Sequence, residues 1–189
     1  MDASQDKCSG VIASHSDLRG RRFVKDPMVF KIRVRTLNVG TMTGNGREIV
    51  DMMQRRKIKV LCVQETRWKA NKAKILAEGY KLLYSSANPE TRNGVGVILH
   101  RELEEEACEV SRVNDRIMSV KMMFGGEMVT VLTAYAPQAG CPEDEKEKFW
   151  RDFDGVMVGI PENERVIARG DVNGHVGGKE CGEERWYGG

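Results

Sequence analysis

The sequence lacks long apolar runs. Its most apolar stretches are short, such as Val60-Leu61-Cys62-Val63, far below the roughly 18 residues of a membrane helix. A secretory start is missing too. Met1-Asp2-Ala3-Ser4-Gln5-Asp6 places acids where a signal peptide has cations, and early acids also argue against a transit peptide. The five cysteines (Cys8, Cys62, Cys108, Cys141 and Cys181) form no Cys-x-x-Cys pair. Reduced thiols are therefore expected, not a disulfide framework or a zinc site. No Asn-x-Ser/Thr sequon occurs. These absences together predict a nuclear or cytoplasmic protein, not a secreted one, with no membrane and no disulfide partner. There is no phosphate-binding P-loop, and Gly94-Val95-Gly96 is too short for a dinucleotide fingerprint. Charge of one sign is also scarce: 30 basic against 28 acidic residues leave a net charge of +2. Any nucleic-acid surface must then come from local patches, not from the chain as a whole.

What is present suits one soluble domain. The chain has 189 residues, 40% apolar and 31% charged, enough to bury a sizeable core. Residues 1–28 show no hydrophobic period and read as a flexible tail, with Arg19-Gly20-Arg21-Arg22 as a solvated basic cluster. From Phe30 the pattern alternates, with Phe30, Ile32 and Val34 on one face, so a half-buried strand is predicted. Arg47 to Lys57 reads as a helix with an Ile49, Val50, Met52, Met53 stripe, its terminal cations complementing the helix dipole. Strands are expected at Ile58–Val63, Tyr80–Tyr84, Val95–Leu99, Ala107–Val113, Arg116–Phe124, Glu127–Tyr135 and Arg165–Ala168. Gly125-Gly126 signals a two-residue hairpin. Pro142 opens a second helix with Phe149, Trp150, Phe153, Val156 and Met157 as its apolar stripe. Mixed strands and helices with antiparallel hairpins predict an α/β or α+β layered domain.

Three strands run into polar residues where a turn residue would serve: Asn38, Glu65, and Asp171 with Asn173. Each taken alone is explained by turn formation. As a set they point to chemistry. Ligands gather beyond strand ends in layered α/β folds, and carboxylate and amide oxygens are hard donors suited to Mg²⁺ or Mn²⁺. Such a pocket could hold one divalent ion and orient a water for phosphoester hydrolysis.

Five segments then carry a resemblance: Arg35-Thr36-Leu37-Asn38-Val39, Cys62-Val63-Gln64-Glu65-Thr66, Gly94-Val95-Gly96-Val97, Ala134-Tyr135-Ala136-Pro137 and Gly170-Asp171-Val172-Asn173. In order and spacing they resemble the endonuclease/exonuclease/phosphatase superfamily. Glu65-Thr66-Arg67-Trp68-Lys69 and the Asn-Gly-His-Val-Gly run after Val172 resemble the endonuclease domain of LINE-type retrotransposons and its domesticated relatives, the craniofacial development protein 2-like group. The resemblance implies an incomplete layered α/β sandwich, with mixed, largely antiparallel sheets flanked by helices. The domain would span residues 29–178, followed by an irregular tail over 179–189. It also implies roles. Glu65 is the Mg²⁺ (or Mn²⁺) ligand, with Asn38 beside it at the metal. Tyr135 contacts the scissile phosphate, Asp171 orients or activates the attacking water, and Asn173 holds the phosphate in the transition state.

The family pattern also contains a further Asp-bearing strand and a Ser-Asp-His motif, which these 189 residues do not contain. A C-terminally truncated domain, weak or inactive as a nuclease, is therefore expected. His15 and His100 are read as surface residues and His175 as structural. Arg67, Lys69, Lys72 and Lys74, interleaved with Trp68, are candidates to track a DNA backbone, against the plainer reading of a solvated basic loop. Two other readings stay open: a non-catalytic remnant that keeps nucleic-acid or protein binding, and the same chemistry on another phosphoester. The sequence fixes no oligomeric state.

Overall fold

The computed structural model describes residues 31–86 and 93–173. It opens with a strand–helix–strand unit: β1 (Val34–Asn38), α1 (Gly46–Arg55) and β2 (Val60–Gln64). β1 and β2 are parallel, with Val34 opposite Val60 and Asn38 opposite Gln64. A tight turn cannot join parallel strands, so the chain crosses over through α1. Three further strands complete this sheet: β3 (Lys72–Ile75), β4 (Lys81–Tyr84) and β5 (Val95–Leu99), in the order β1-β2-β5-β4-β3. All of β2 and β5 is buried, as expected for central strands covered on both faces.

The second sheet holds β6 (Ala107–Arg112), β7 (Ile117–Phe124), β8 (Glu127–Tyr135) and β9 (Arg165–Asp171), in that order. Gly125 and Gly126 both take positive φ, 59° and 86°. A two-residue turn whose twist matches its strands requires that conformation, and Phe124 duly pairs with Glu127. From β8 the chain crosses through α2 (Glu143–Val158) to β9, which runs parallel to β8.

The alternation of side chains sorts the core into layers. Between the sheets lie Val60, Cys62, Val95, Val97 and Leu99 from one side and Met118, Val120, Met122 and Val131 from the other. Ile49, Val50 and Met53 of α1 cover Leu61, Val63 and Ile98 on the first sheet's outer face. Phe149 of α2 covers Ile117, Leu132 and Ala134 on the second. The result is a mixed α/β sandwich, two mostly antiparallel sheets flanked by helices.

One polar strap crosses the apolar interface. The Thr36 hydroxyl donates to Gln64 Oε1 (3.1 Å), and Gln64 Nε2 donates to Thr133 Oγ1 (3.2 Å). Gln64 is wholly buried, so these bonds offset the desolvation of its amide.

Several expectations shift. β1 starts at Val34, so the alternation over Lys31–Arg33 lies before the strand, and Phe30 is outside the described residues. The Lys72–Ile75 stretch, read as a loop, is an edge strand antiparallel to β4. Its side chains are all exposed, so it had no apolar period to reveal it. In α2 only Phe149 is fully buried, while Trp150 stays 47% exposed on an adjacent face. β9 continues past Ala168 because its pairing with β8 runs on to Tyr135 opposite Asp171. His100 is half-buried against the Tyr80 ring at 5.0 Å, not a free surface residue. The two predicted tails, Arg19–Arg22, His15 and His175 lie outside the described residues.

Candidate active site

The two parallel pairs place the site. Parallel strands finish at the same end, so β1 and β2 deliver Asn38 and Glu65 together, and β8 and β9 deliver Tyr135 and Asp171 together. Packing the sheets face to face brings these pairs into one cluster.

Glu65 is its hub. Asn38 Nδ2 donates to Glu65 Oε1 at 2.9 Å, and the Tyr135 hydroxyl donates to the same oxygen at 2.9 Å. Arg67 Nη2 donates to the other oxygen, Oε2, at 2.9 Å. Asn38 Nδ2 also donates to Asp171 Oδ2 at 3.2 Å, so one amide nitrogen links carboxylates from the two sheets. Its orientation is fixed independently, because Asn38 Oδ1 accepts from the Gly40 backbone N–H at 3.0 Å. The remaining oxygen of Asp171, Oδ1, accepts from the Asn173 backbone N–H at 3.1 Å. Asn173 Nδ2 donates to the Ala136 carbonyl at 2.6 Å, which ties the chain after β9 to the chain after β8.

The backbone is strained where the side chains converge. Glu65, Arg67 and Asn173 take φ of 57°, 56° and 47°. Residues with a Cβ adopt this left-handed region at a cost of about 1–2 kcal/mol each. At Glu65 the bend turns the carboxylate out of the β2 ladder. The bend is held by neighbours: the N–H groups of Thr66 and Arg67 donate to the carbonyls of Gly94 and Asn93 at 3.0 and 3.1 Å.

Electrostatics follow the contacts. Burial pushes the Glu65 carboxyl up, but the hydrogen bonds from Asn38, Arg67 and Tyr135 and the Arg67 charge outweigh it, leaving it below the ordinary range. Tyr135 moves the opposite way. Burial raises its phenol, its hydrogen bond to Glu65 and that carboxylate's charge raise it further, and Arg116 only partly opposes them. Glu65 is therefore an anion and Tyr135 a protonated donor at neutral pH.

Sequence reasoning missed a second group behind Tyr135. Arg116 donates to the Tyr135 carbonyl (3.2 Å) and to Glu145 of α2 (2.6 Å), and its guanidinium lies 5.4 Å from the Tyr135 ring centre. A single Arg before an apolar strand carries no signal in a sequence; the pairing partner lies 29 residues away.

The structure thus brings together Asn38, Glu65, Tyr135, Asp171 and Asn173. Arg67 joins them as an ion-pair partner of Glu65. Lys69 and Lys72 stand apart, exposed, with Lys72 opening β3. Lys74, next along β3, lies 4.5 Å from the Trp68 ring centre.

The donor set is hard: two carboxylates and a phenol oxygen. Among the described residues no group of three or more His, Cys, Asp or Glu is gathered to hold a metal. A pair of carboxylates fits Mg²⁺, which is commonly held by one or two of them together with substrate phosphates. Cys62 and Cys141 are free thiols. No helix among the described residues is long and apolar enough to cross a membrane.

No family model matches the chain. In sequence it is 26% identical over 146 residues to craniofacial development protein 2 of Bos taurus, a match covering 77% of this chain and 24% of that protein. The chain thus spans about a quarter of the length of the curated relatives it matches. In structure it is similar to an AP endonuclease from Archaeoglobus fulgidus (TM-score 0.59, 21% identity, 76% of this chain and 58% of that one). It is also similar to the endonuclease domain of TRAS1, a telomere-specific non-LTR retrotransposon (TM-score 0.56, 16% identity, 77% and 60%). With this two-sheet architecture, the chain has the endonuclease/exonuclease/phosphatase fold and has homologues named craniofacial development protein 2.

Proposed function

We propose that the cluster at the strand ends is a divalent-metal phosphodiesterase site directed at DNA, in a form that is weak in these 189 residues by themselves. The observation that carries this reading is the convergence on Glu65: Asn38 and Tyr135 from different sheets share one carboxylate oxygen, and Asp171 lies on the far side of the same Asn38 amide. The DNA substrate is supported by the retrotransposon endonuclease domain and the AP endonuclease that share the fold.

In this reading Glu65 and Asp171 would hold Mg²⁺ (or Mn²⁺), which would supply neutralisation of phosphate charge. Tyr135 keeps its proton and donates a hydrogen bond toward a phosphate oxygen. Asp171 orients a water. The second N–H of the Asn173 amide would steady the developing charge, and Arg67 balances the Glu65 charge through their ion pair. Lys69 and Lys72, on the exposed run into β3, follow the DNA backbone. A histidine from a Ser-Asp-His segment, a sequence these 189 residues do not contain, would assist proton transfer by about two to four orders of magnitude in rate.

The test is relaxation of supercoiled plasmid with Mg²⁺. Slow nicking is expected, lost with EDTA and lost in Glu65→Gln. Saturable DNA binding with no nicking at any metal concentration would favour the non-catalytic reading. Cleavage unchanged in Glu65→Gln would refute the site.

A further inference from the structure

The left-handed bend at Glu65 is anchored from the second sheet. The carbonyls that receive the Thr66 and Arg67 N–H groups belong to Gly94 and Asn93, the residues that lead into β5. This short segment is tied on its other side to Asp115, in the turn that joins β6 to β7. The Gly94 N–H donates to the Asp115 carbonyl at 3.0 Å, and Asn93 Nδ2 donates to Asp115 Oδ2 at 2.9 Å. Gly94 takes a φ of 103°, a conformation open to glycine, and so its N–H reaches the second sheet while its carbonyl reaches the first. Asn93 is only 5% exposed, where a bond to a charged carboxylate is stronger than in water. The turn is braced as well. Asn114 Oδ1 accepts from the Arg116 and Ile117 N–H groups at 2.8 and 2.9 Å, and Asn114 Nδ2 donates to Asp152 of α2 at 3.0 Å.

We propose that Asn93 and Asp115 are positioning residues for Glu65. Asp115 fixes Asn93 and Gly94, and their carbonyls hold the backbone bend that aims Glu65 into the cluster. A residue with a Cβ leaves the left-handed region unless its surroundings hold it there, and the bonds from Thr66 and Arg67 supply that hold. An aspartate that served only its own turn would bond within it; Asp115 instead takes the amide of a residue 22 positions away. Neither Asn93 nor Asp115 belongs to the group gathered around Glu65, so their effect passes through the backbone. The role rests on the metal-site reading for its consequence, a divalent ion held less tightly once Glu65 is released. The hold on the bend does not depend on that reading.

The test, on the full chain, exchanges donor and acceptor. Asn93→Asp sets carboxylate against carboxylate and breaks the bond; adding Asp115→Asn restores it with the roles reversed. Native-state amide exchange, followed by NMR, is read at Thr66 and Arg67 relative to Val120, buried in β7. In Asn93→Asp this relative rate is expected to rise by about tenfold or more, and in the double variant to return to the parent value. Asn93→Ala, which adds no charge, is expected to speed the same two amides. Mn²⁺ titrated by EPR is expected to bind about tenfold more weakly to Asn93→Asp and to recover in the double variant. A general loss of stability would speed Val120 along with the others and would not be reversed by the second substitution. Unchanged relative exchange at Thr66 and Arg67 in both single variants, or no recovery in the double, overturns the proposal. A parent chain that binds no Mn²⁺ overturns the metal-site reading instead, and the exchange rates still decide what holds Glu65.

Discussion

Single side chains show how close packing and charge set behaviour here. His100 Nδ1 accepts from the Glu102 backbone N–H at 3.3 Å and lies 3.4 Å from Lys59 Nζ, so its proton sits on Nε2. Burial lowers its pKa below 6.5, and the charges of Lys59 and Arg101 outweigh the opposing pull of Glu102. The imidazole is thus neutral when folded, while the unfolded chain takes up a proton below about pH 6.5. Stability is therefore full above that pH and is lost as pH falls from about 6.5 toward the lower folded value. Urea midpoints at pH 7.5 and 5.5 should differ less for His100→Gln than for the parent chain. An equal drop in both would show that His100 does not carry the effect. None of this was visible in the sequence, where His100 had no neighbour to mark it. Asn38, Glu65 and Asp171 were legible because each is a polar residue closing an apolar strand, whereas Tyr135 was marked only by the resemblance. The orientation of the Asn38 amide was not, since it depends on the Gly40 N–H and on a carboxylate 133 residues away.

At the scale of elements, β9 is placed by a contact with no room to spare. A Cβ on Gly170 would lie 2.1 Å from the Ala134 carbonyl oxygen, the backbone of its register partner in β8. Asp171 follows directly, so the glycine decides where that carboxylate sits. Gly170→Ala is expected to cost about 2–3 kcal/mol in urea unfolding and to abolish whatever nicking the parent shows. Gly155, in α2, has open space around its Cβ position. Gly155→Ala should raise stability by about 0.5–1 kcal/mol, and a loss there comparable to that at Gly170 would undo the argument. Elements with a strong period were readable in advance: β5 and β8 run over the expected residues, and α1 buries Ile49, Val50 and Met53. β3 was not readable, because an exposed edge strand such as Lys-Ala-Lys-Ile is held by its neighbour's backbone and has no buried face to pattern.

For the whole molecule, β1-α1-β2 and β8-α2-β9 are the same device used twice: a parallel pair with a helix on its outer face. The sequence shows no repeat, since this likeness lies in topology and not in residues. The interface between the halves is reported by Cys62, which is wholly buried between the sheets. Burial pushes its thiol up to about 12, against smaller opposing effects of Arg169 and Thr133. In a variant keeping Cys62 as its sole cysteine, labelling with a thiol-reactive disulfide at pH 8 should proceed at the rate of global unfolding and speed up across the urea transition. Prompt labelling of the native chain would mean that the sheets part locally.

The Thr36–Gln64–Thr133 strap has a mechanical consequence. It pins two stacked plates in one alignment, immediately beside the residue that gathers the others. Sliding one plate along the other by a single residue step, about 3.3 Å, would part Asn38 from Asp171 while leaving Asn38 and Glu65 together. Loosening that pin would therefore disperse the cluster around Glu65 without touching any of its members.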